Sequence, residues 1–337
     1  PYSFLHFHLI LLGVLEDISV SKVRFGVVII PDPEDNSRGI EHFQNIIKYL
    51  DSLDNAYESV WMPDHFIPLI SPTYPGQTEN AFSNDYLECL TTTSYLLPLY
   101  PNLKFGQLVL GNSYRNPALL AKMSSTLQVL SGGRFILGIG AGWFREEHRQ
   151  YGYDFPSPRT RIRKLEEAVH IIKMMWEEDG VTFHGKHYHV ENAYCNPKPD
   201  LAPPILIGGG GERFTLKVVA KYADWWNINY CDVDRWTHKL NVLASHCDDV
   251  GRDFDDILKS AMWGVAVAGS DEEALSLAKR SPYYNERIII VGSPESVVSR
   301  MGELVDAGVE YFQIVFPQHR NYETQQLFAD EVIPELS

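Results

Sequence analysis

The chain has 337 residues, 45% of them hydrophobic and 22% charged, with a formal net charge of −15. That much apolar sequence builds a large core, so intrinsic disorder is excluded and one barrel with insertions or two ordinary domains fit the length. The acidic balance, without any cluster of Lys and Arg, excludes a protein that grips nucleic acid through its phosphates.

Cys89, Cys195, Cys231 and Cys247 stand far apart. They form neither a disulfide framework nor a CxxC knuckle, which predicts a reducing compartment, the cytoplasm. Residues 1–21 read as an N-terminal extension. Phe4 to Leu15 is nearly continuous apolar sequence, yet at about a dozen residues it is too short to span a membrane and lacks the flanks of a signal peptide. No membrane association is expected.

From Lys22 onward, short β-branched runs alternate with longer helical ones. Arg24 to Ile30, Ser59 to Met62, Lys104 to Leu110 and Arg134 to Ile139 are predicted strands. Between them lie predicted helices Ile40 to Leu53, Tyr86 to Leu97 and Pro117 to Leu130, the last opened by its proline. A helix from Thr160 to Glu177 follows, then a polar-aromatic stretch (Val181 to Val190), a strand (Pro204 to Ile207), a helix (Glu212 to Tyr222) and a strand start (Ala223 to Asn227). Ala261 to Val267 and Tyr311 to Val315 are later strands, with helices Asp271 to Lys279 and Pro294 to Asp306 between them. Repeating βα units without a domain-scale linker predict a closed barrel or a doubly wound sheet. The barrel is favoured because Gly-rich, charged or aromatic clusters follow four strands, at Pro63-Asp64-His65, Gly111-Asn112, Gly140-Ala141-Gly142 and Gly208 to Gly211. In a barrel these line one face. The fold class is therefore α/β, a (β/α)8 TIM barrel over 22–337.

Gly208, Gly209, Gly210 and Gly211 end a strand and run into a helix. Their amides, with no Cβ in the way and at the positive end of a helix dipole, make a phosphate cradle, the alternative being a flexible turn. Arg213, placed in the first helical turn, is a second phosphate contact. Gly140 and Gly142 let a flat ring approach the backbone with Trp143 as a wall, or simply permit tight turning. Asp64-His65 is the acid-base candidate, since imidazole exchanges protons near neutrality. Asp64 either fixes the histidine tautomer or bonds a neighbouring loop. Asn112 and Ser113 suit the polar edge of a heterocycle, while Arg115 suits a salt-bridge clamp. His184, His187 and His189 crowd one segment, but its pattern is that of a hairpin and no metal site is predicted.

The chain resembles the bacterial luciferase-like monooxygenase superfamily, nearest its branch of coenzyme F420-dependent oxidoreductases. The matching segments are VWMPDHF (60–66), SYRNPALLAKM (113–123), LSGGRFILGIGAGWFREEH (130–148), YGYDFPSPRTRIRKLEEAVHIIKMMW (151–176), NPKPDLAPPILIGGGGERFTLKVVAKYADWWN (196–227) and VGSPESVVSRMGELVDAGVEYFQIVF (291–316). The resemblance implies an insertion after the fourth strand, about 143–200, a cofactor across the barrel mouth and a non-prolyl cis peptide within Leu108 to Gly111. It also implies ring contacts from Leu110, Gly111, Asn112, Gly140 and Gly142, a phosphate loop at Gly208 to Gly211, and His65 beside the ring as acid or base. A homodimer is expected. In the sugar-phosphate dehydrogenases of this branch a catalytic glutamate follows the second glycine; Trp143 stands there in this chain, so that activity is not expected.

The implied function is hydride transfer between F420 and a small organic substrate, with Lys198, Arg213 and Lys217 as a basic lip for the acidic F420 tail. One alternative is an FMN-dependent monooxygenase or reductase, served by a separate cofactor reductase. Another is a non-catalytic flavin-binding protein.

Overall fold

A computed structural model describes residues 23–30, 37–53, 55–67, 85–281, 284, 289–316 and 322–337; the N-terminal extension lies outside these. The first half contains β1 (Arg24–Val28), α1 (Gly39–Asp51), β2 (Ser59–Met62), α2 (Cys89–Leu96), β3 (Lys104–Gln107), β4 (Leu110–Gly111), α3 (Pro117–Ser131) and β5 (Phe135–Gly140). Then come α4 (Arg145–Gln150), α5 (Pro158–Glu177), β6 (Val181–His184), β7 (His189–Ala193), β8 (Ile205–Gly208), α6 (Thr215–Tyr222) and β9 (Trp225–Asn229). The last part has α7 (Val233–Val250), β10 (Leu258–Val267), α8 (Asp271–Arg280), β11 (Ile289–Gly292), α9 (Pro294–Asp306) and β12 (Tyr311–Val315).

Eight parallel strands close into a ring, in the order β1, β2, β3, β5, β8, β9, β10, β12 and back to β1. Two short strands lie off this path: β4 pairs with the end of β5, and β11 with the C-terminal half of β10. Between β5 and β8 the chain adds the antiparallel hairpin β6–β7 beyond the helix α5. No helix among the described residues is long and apolar enough to cross a membrane. All four cysteines are free and buried.

The strands carry two apolar faces, as both sides of a parallel barrel are covered. Residues such as Phe25, Val60, Phe105, Leu137 and Ile207 face the helices. Val28, Trp61, Ile136, Leu206, Trp225 and Tyr311 fill the interior. So large a plug as Trp61 fits because its partner across β3 is Gly106, where a Cβ would lie 2.4 Å from the indole. Helix starts follow local chemistry. Asn116 accepts from the Ala118 and Leu119 amides ahead of Pro117, Ser157 caps α5 ahead of Pro158, and Gly132 ends α3 in the left-handed region.

Several elements differ from the expectation: α2 starts at Cys89 rather than Tyr86, and β3 ends at Gln107 rather than Leu110. The helix after the glycine run starts at Thr215, not Glu212, because residues 212–214 form a turn. Helix α7, which was not expected, buries only Trp236, Lys239, Leu243 and Cys247, a stripe too thin to read in so polar a segment. Strand β10 begins at Leu258 rather than Ala261, its start set by pairing with Trp225.

Candidate functional site

A cavity of about 850 Å³ opens at the C-terminal end of the ring. The segments after β2, β3, β5, β8 and β9 all contribute to its wall, through His65, Gly111, Trp143, Gly210 and Tyr230 among others. This size is that of small-molecule and cofactor sites, and the C-terminal mouth is where barrels of this kind place their loops. The Leu108–Val109 peptide in the wall is cis.

His65 lies on the wall with its side chain 15% exposed. Its Nδ1 sits 3.3 and 3.2 Å from the two carboxylate oxygens of Glu147, a residue of α4. The same carboxylate accepts from the Phe66 amide at 2.7 Å and from the Tyr114 hydroxyl at 2.6 Å. Burial pushes the Glu147 pKa up, but the bonds from His65, Tyr114 and the Phe66 amide outweigh it and hold the carboxyl below its ordinary value. Tyr114 is raised by its burial and by that carboxylate, so it stays a phenol that donates. His65 Nε2 has no protein partner among the described residues, and the residue lines the cavity. The ring stands edge-on to Trp143 and Phe144, at 5.8 and 6.0 Å between centroids.

Of the two expectations for Asp64, the structure gives the loop contact: its carboxylate bonds Arg115 and Gly111, while Glu147 and not Asp64 bonds the His65 ring. Its oxygens accept from Arg115 at 2.6 and 2.8 Å and from the Gly111 amide at 2.9 Å. Burial pushes its pKa up against the pull of Arg115 and Gly111. Both oxygens face N–H donors, so the pair is a carboxylate with a guanidinium. Asp64 clamps the loop after β2 to the loop after β4.

The glycine run lies in the cavity wall at the foot of α6. The Gly209 amide bonds the Asn227 carbonyl at 2.9 Å, whereas the Gly210 and Gly211 amides have no protein acceptor among the described residues. Gly209 has φ of 121°, a conformation favouring glycine, and a Cβ on Gly210 would lie 2.5 Å from Ile228 Cδ1. Free amides before a helix N-terminus, beside a glycine whose backbone disfavours any side chain, fit a phosphate. Gly140, Gly142, Trp143, Leu110 and Gly111 also line the cavity.

Two expected contacts fall elsewhere. Asn112 is outside the wall, with its amide donating to the Tyr188 hydroxyl at 3.3 Å on the insertion. Arg213 precedes the helix and is exposed, its guanidinium 5.2 Å from the Phe214 ring. The expected basic lip changes too. Lys198 bonds the Met175 and Glu178 carbonyls at the C-terminal end of α5, away from the mouth. The cations on the wall are Arg161, held by the Gly142 and Pro156 carbonyls, and the exposed Arg235 near the start of α7. Sequence reasoning missed Glu147, Tyr114 and Arg235. For Glu147 the sequence offered little: an acidic residue five positions past Gly142, in the first turn of the short helix α4.

Residues 23–286 match the family model described as luciferase-like monooxygenase. The chain belongs to that family. It is 25% identical over 314 residues to an F420-dependent glucose-6-phosphate dehydrogenase of Amycolatopsis mediterranei, covering 83% of this chain and 90% of the relative. It is 31% identical over 285 residues to an FMNH(2)-dependent dimethylsulfone monooxygenase of Pseudomonas putida, covering 73% and 78%. Its fold superposes on an F420-dependent secondary alcohol dehydrogenase, solved with an F420-acetone adduct, with a TM-score of 0.75 at 18% identity over 94% and 99% of the two chains.

Proposed function

We propose that this luciferase-like oxidoreductase uses coenzyme F420 and moves a hydride between it and an alcohol or carbonyl carbon of a small organic substrate. At the coarser level it is a flavin- or deazaflavin-using enzyme. The observation that carries the finer reading is His65, a proton-exchanging side chain with one free nitrogen on the cavity wall, backed by a buried carboxylate. Interconverting an alcohol and a carbonyl moves a proton at oxygen as well as a hydride at carbon, and His65 serves the proton. The similarity to an F420-dependent dehydrogenase along 90% of its length supports the same reading.

The bound deazaflavin supplies the two-electron hydride chemistry. The Gly210 and Gly211 amides and Arg235 would hold its phosphate-bearing arm, and Gly111, Gly140 and Gly142 would leave room for its ring. Apolar wall residues such as Val109, Leu110, Ile162 and Ile228 exclude water and accept an uncharged substrate. His65 gives or takes the proton at Nε2.

A second reading, an FMN-dependent monooxygenase or reductase, is favoured by the higher identity to the dimethylsulfone enzyme. Fluorescence-quenching titrations with oxidised F420 and with FMN separate the two. Tight F420 binding with weak FMN binding, followed by loss of deazaflavin absorbance with one of a panel of alcohols, is the expected result. The reverse order of affinities assigns the chain to the second reading.

A further inference from the structure

The Glu147 side chain is 1% exposed, and among the described residues no lysine or arginine forms an ion pair with its carboxylate. Among the described residues Arg115 is taken by Asp64 and Glu88, and Arg149 by Glu146. A buried carboxylate without a cation is costly and persists only where donors satisfy it. Here those donors are one amide, one phenol and the imidazole of His65. An ionised carboxylate only accepts, so the proton of a neutral His65 ring must sit on Nδ1. That leaves Nε2 bare on a residue that lines the cavity. With the proton on Nε2 instead, the Nδ1 lone pair would point at the carboxylate, an unfavourable contact in a poorly solvated place.

We propose that Glu147 is the positioning residue of this site: it fixes His65 in the Nδ1–H tautomer, aims Nε2 into the cavity and stabilises the imidazolium formed when Nε2 takes a substrate proton. The last of these roles rests on the hydride-transfer reading; the tautomer does not. In alcohol oxidation the O–H bond breaks and its proton forms the Nε2–H bond. The C–H hydrogen leaves with its electron pair as hydride to the oxidised cofactor, so the substrate loses two hydrogens and two electrons and becomes a carbonyl. The reverse reaction returns both. At each stage Nδ1 keeps its proton and Glu147 its charge, so proton uptake at Nε2 turns a lone buried anion into an ion pair.

The full chain without cofactor, labelled isotopically at histidine nitrogen, tests the tautomer by NMR, with the His65 signal assigned through its loss in His65→Asn. The expected spectrum of the neutral ring shows a protonated Nδ1 and a bare Nε2, and a mixture of tautomers in Glu147→Gln. A neutral His65 with its proton on Nε2 in the unaltered protein overturns the proposal. That spectrum decides even if Glu147→Gln does not fold, and Tyr114→Phe, which leaves the His65 contact in place, is expected to keep the tautomer. In turnover, Glu147→Gln should lower kcat by roughly 10- to 10³-fold with little change in KM. Adding it to His65→Asn should cost nothing further, because Glu147 acts through His65. A double variant that loses the product of the two single losses refutes the coupling. Failure of both cofactors to bind strikes the hydride-transfer reading alone, since the tautomer is read without them.

Discussion

Asp64 and Arg115 meet through two hydrogen bonds of 2.6 and 2.8 Å, joining the loop after β2 to the loop after β4. His65 follows Asp64 directly, and Tyr114 precedes Arg115. One ion pair therefore fixes the backbone on both sides of the Glu147 cluster. The side chains are 1% and 10% exposed, so the pair is largely desolvated. Removing one member of such a pair strands the other charge, at a cost of about 3–5 kcal/mol.

Arg115→Met is expected to destabilise the fold by about that amount. Asp64→Asn combined with Arg115→Met should recover part of it, because the amide oxygen still accepts from Gly111 and no buried carboxylate is left unpaired, the partly exposed Glu88 keeping its bonds from the Leu90 and Thr91 amides. Denaturant unfolding of the two variants measures both. A single variant within about 0.5 kcal/mol of the parent shows that the loops are held by other contacts.

Valine in place of Gly210 puts bulk where the Cβ meets the far end of Ile228, at 2.5 Å, and that flexible side chain can yield. The fold should survive. Cofactor affinity should fall by about 1 kcal/mol or more, the order of one charge-assisted hydrogen bond. Gly302→Ala, at a position where a Cβ meets nothing within 4 Å, serves as the control. Equal affinities in the two folded variants remove the glycine run from the phosphate site.

The eight strands of the ring were legible as short apolar runs, four of them closed by a glycine, charged or aromatic cluster, and the side those clusters share is the cavity mouth. The glycine run was legible for the same reason, its backbone being its chemistry. Glu147 was not. It lies on a six-residue helix whose sequence, Arg-Glu-Glu-His, looks solvated, and the histidine it serves is 82 residues away. Arg213 misled because its role depended on where the helix began, and the turn over 212–214 moves that start past it. Asn112 was placed on the right loop, but its side chain turns to a hairpin that no local pattern links to it.

His65→Asn removes the imidazole and keeps an N–H donor, so the fold and most of the cofactor affinity should remain. Turnover should fall by about 10²- to 10⁴-fold if Nε2 exchanges a proton in the slow step. A loss of less than about tenfold identifies His65 as a group that only orients the ring.

His148 supplies a test by pH alone. Its ring is buried beneath Gly142, with Nδ1 2.9 Å from the Phe144 carbonyl and 3.2 Å from the Tyr114 hydroxyl, while Nε2 is buried without a partner. Bonding to a carbonyl puts the proton on Nδ1, so a second proton would have to enter at the buried Nε2. Burial accordingly lowers the His148 pKa below its ordinary 6.5. With the folded value depressed, the unfolded chain binds the extra proton first, so this contribution to stability is full above 6.5 and is lost as pH falls from there toward the folded value. Glu147, held below its ordinary 4.5, adds a loss of the same sign at lower pH. Thermal unfolding should therefore show Tm dropping as the solution is acidified below neutrality. In His148→Asn, whose amide can still donate to the Phe144 carbonyl, the drop on the neutral side should shrink by roughly 2 °C or more. Superimposable Tm profiles for the two proteins between neutrality and the carboxylate range would mean that His148 takes up its proton without cost in the folded state, and that the floor beneath Gly142 is better solvated than its packing indicates.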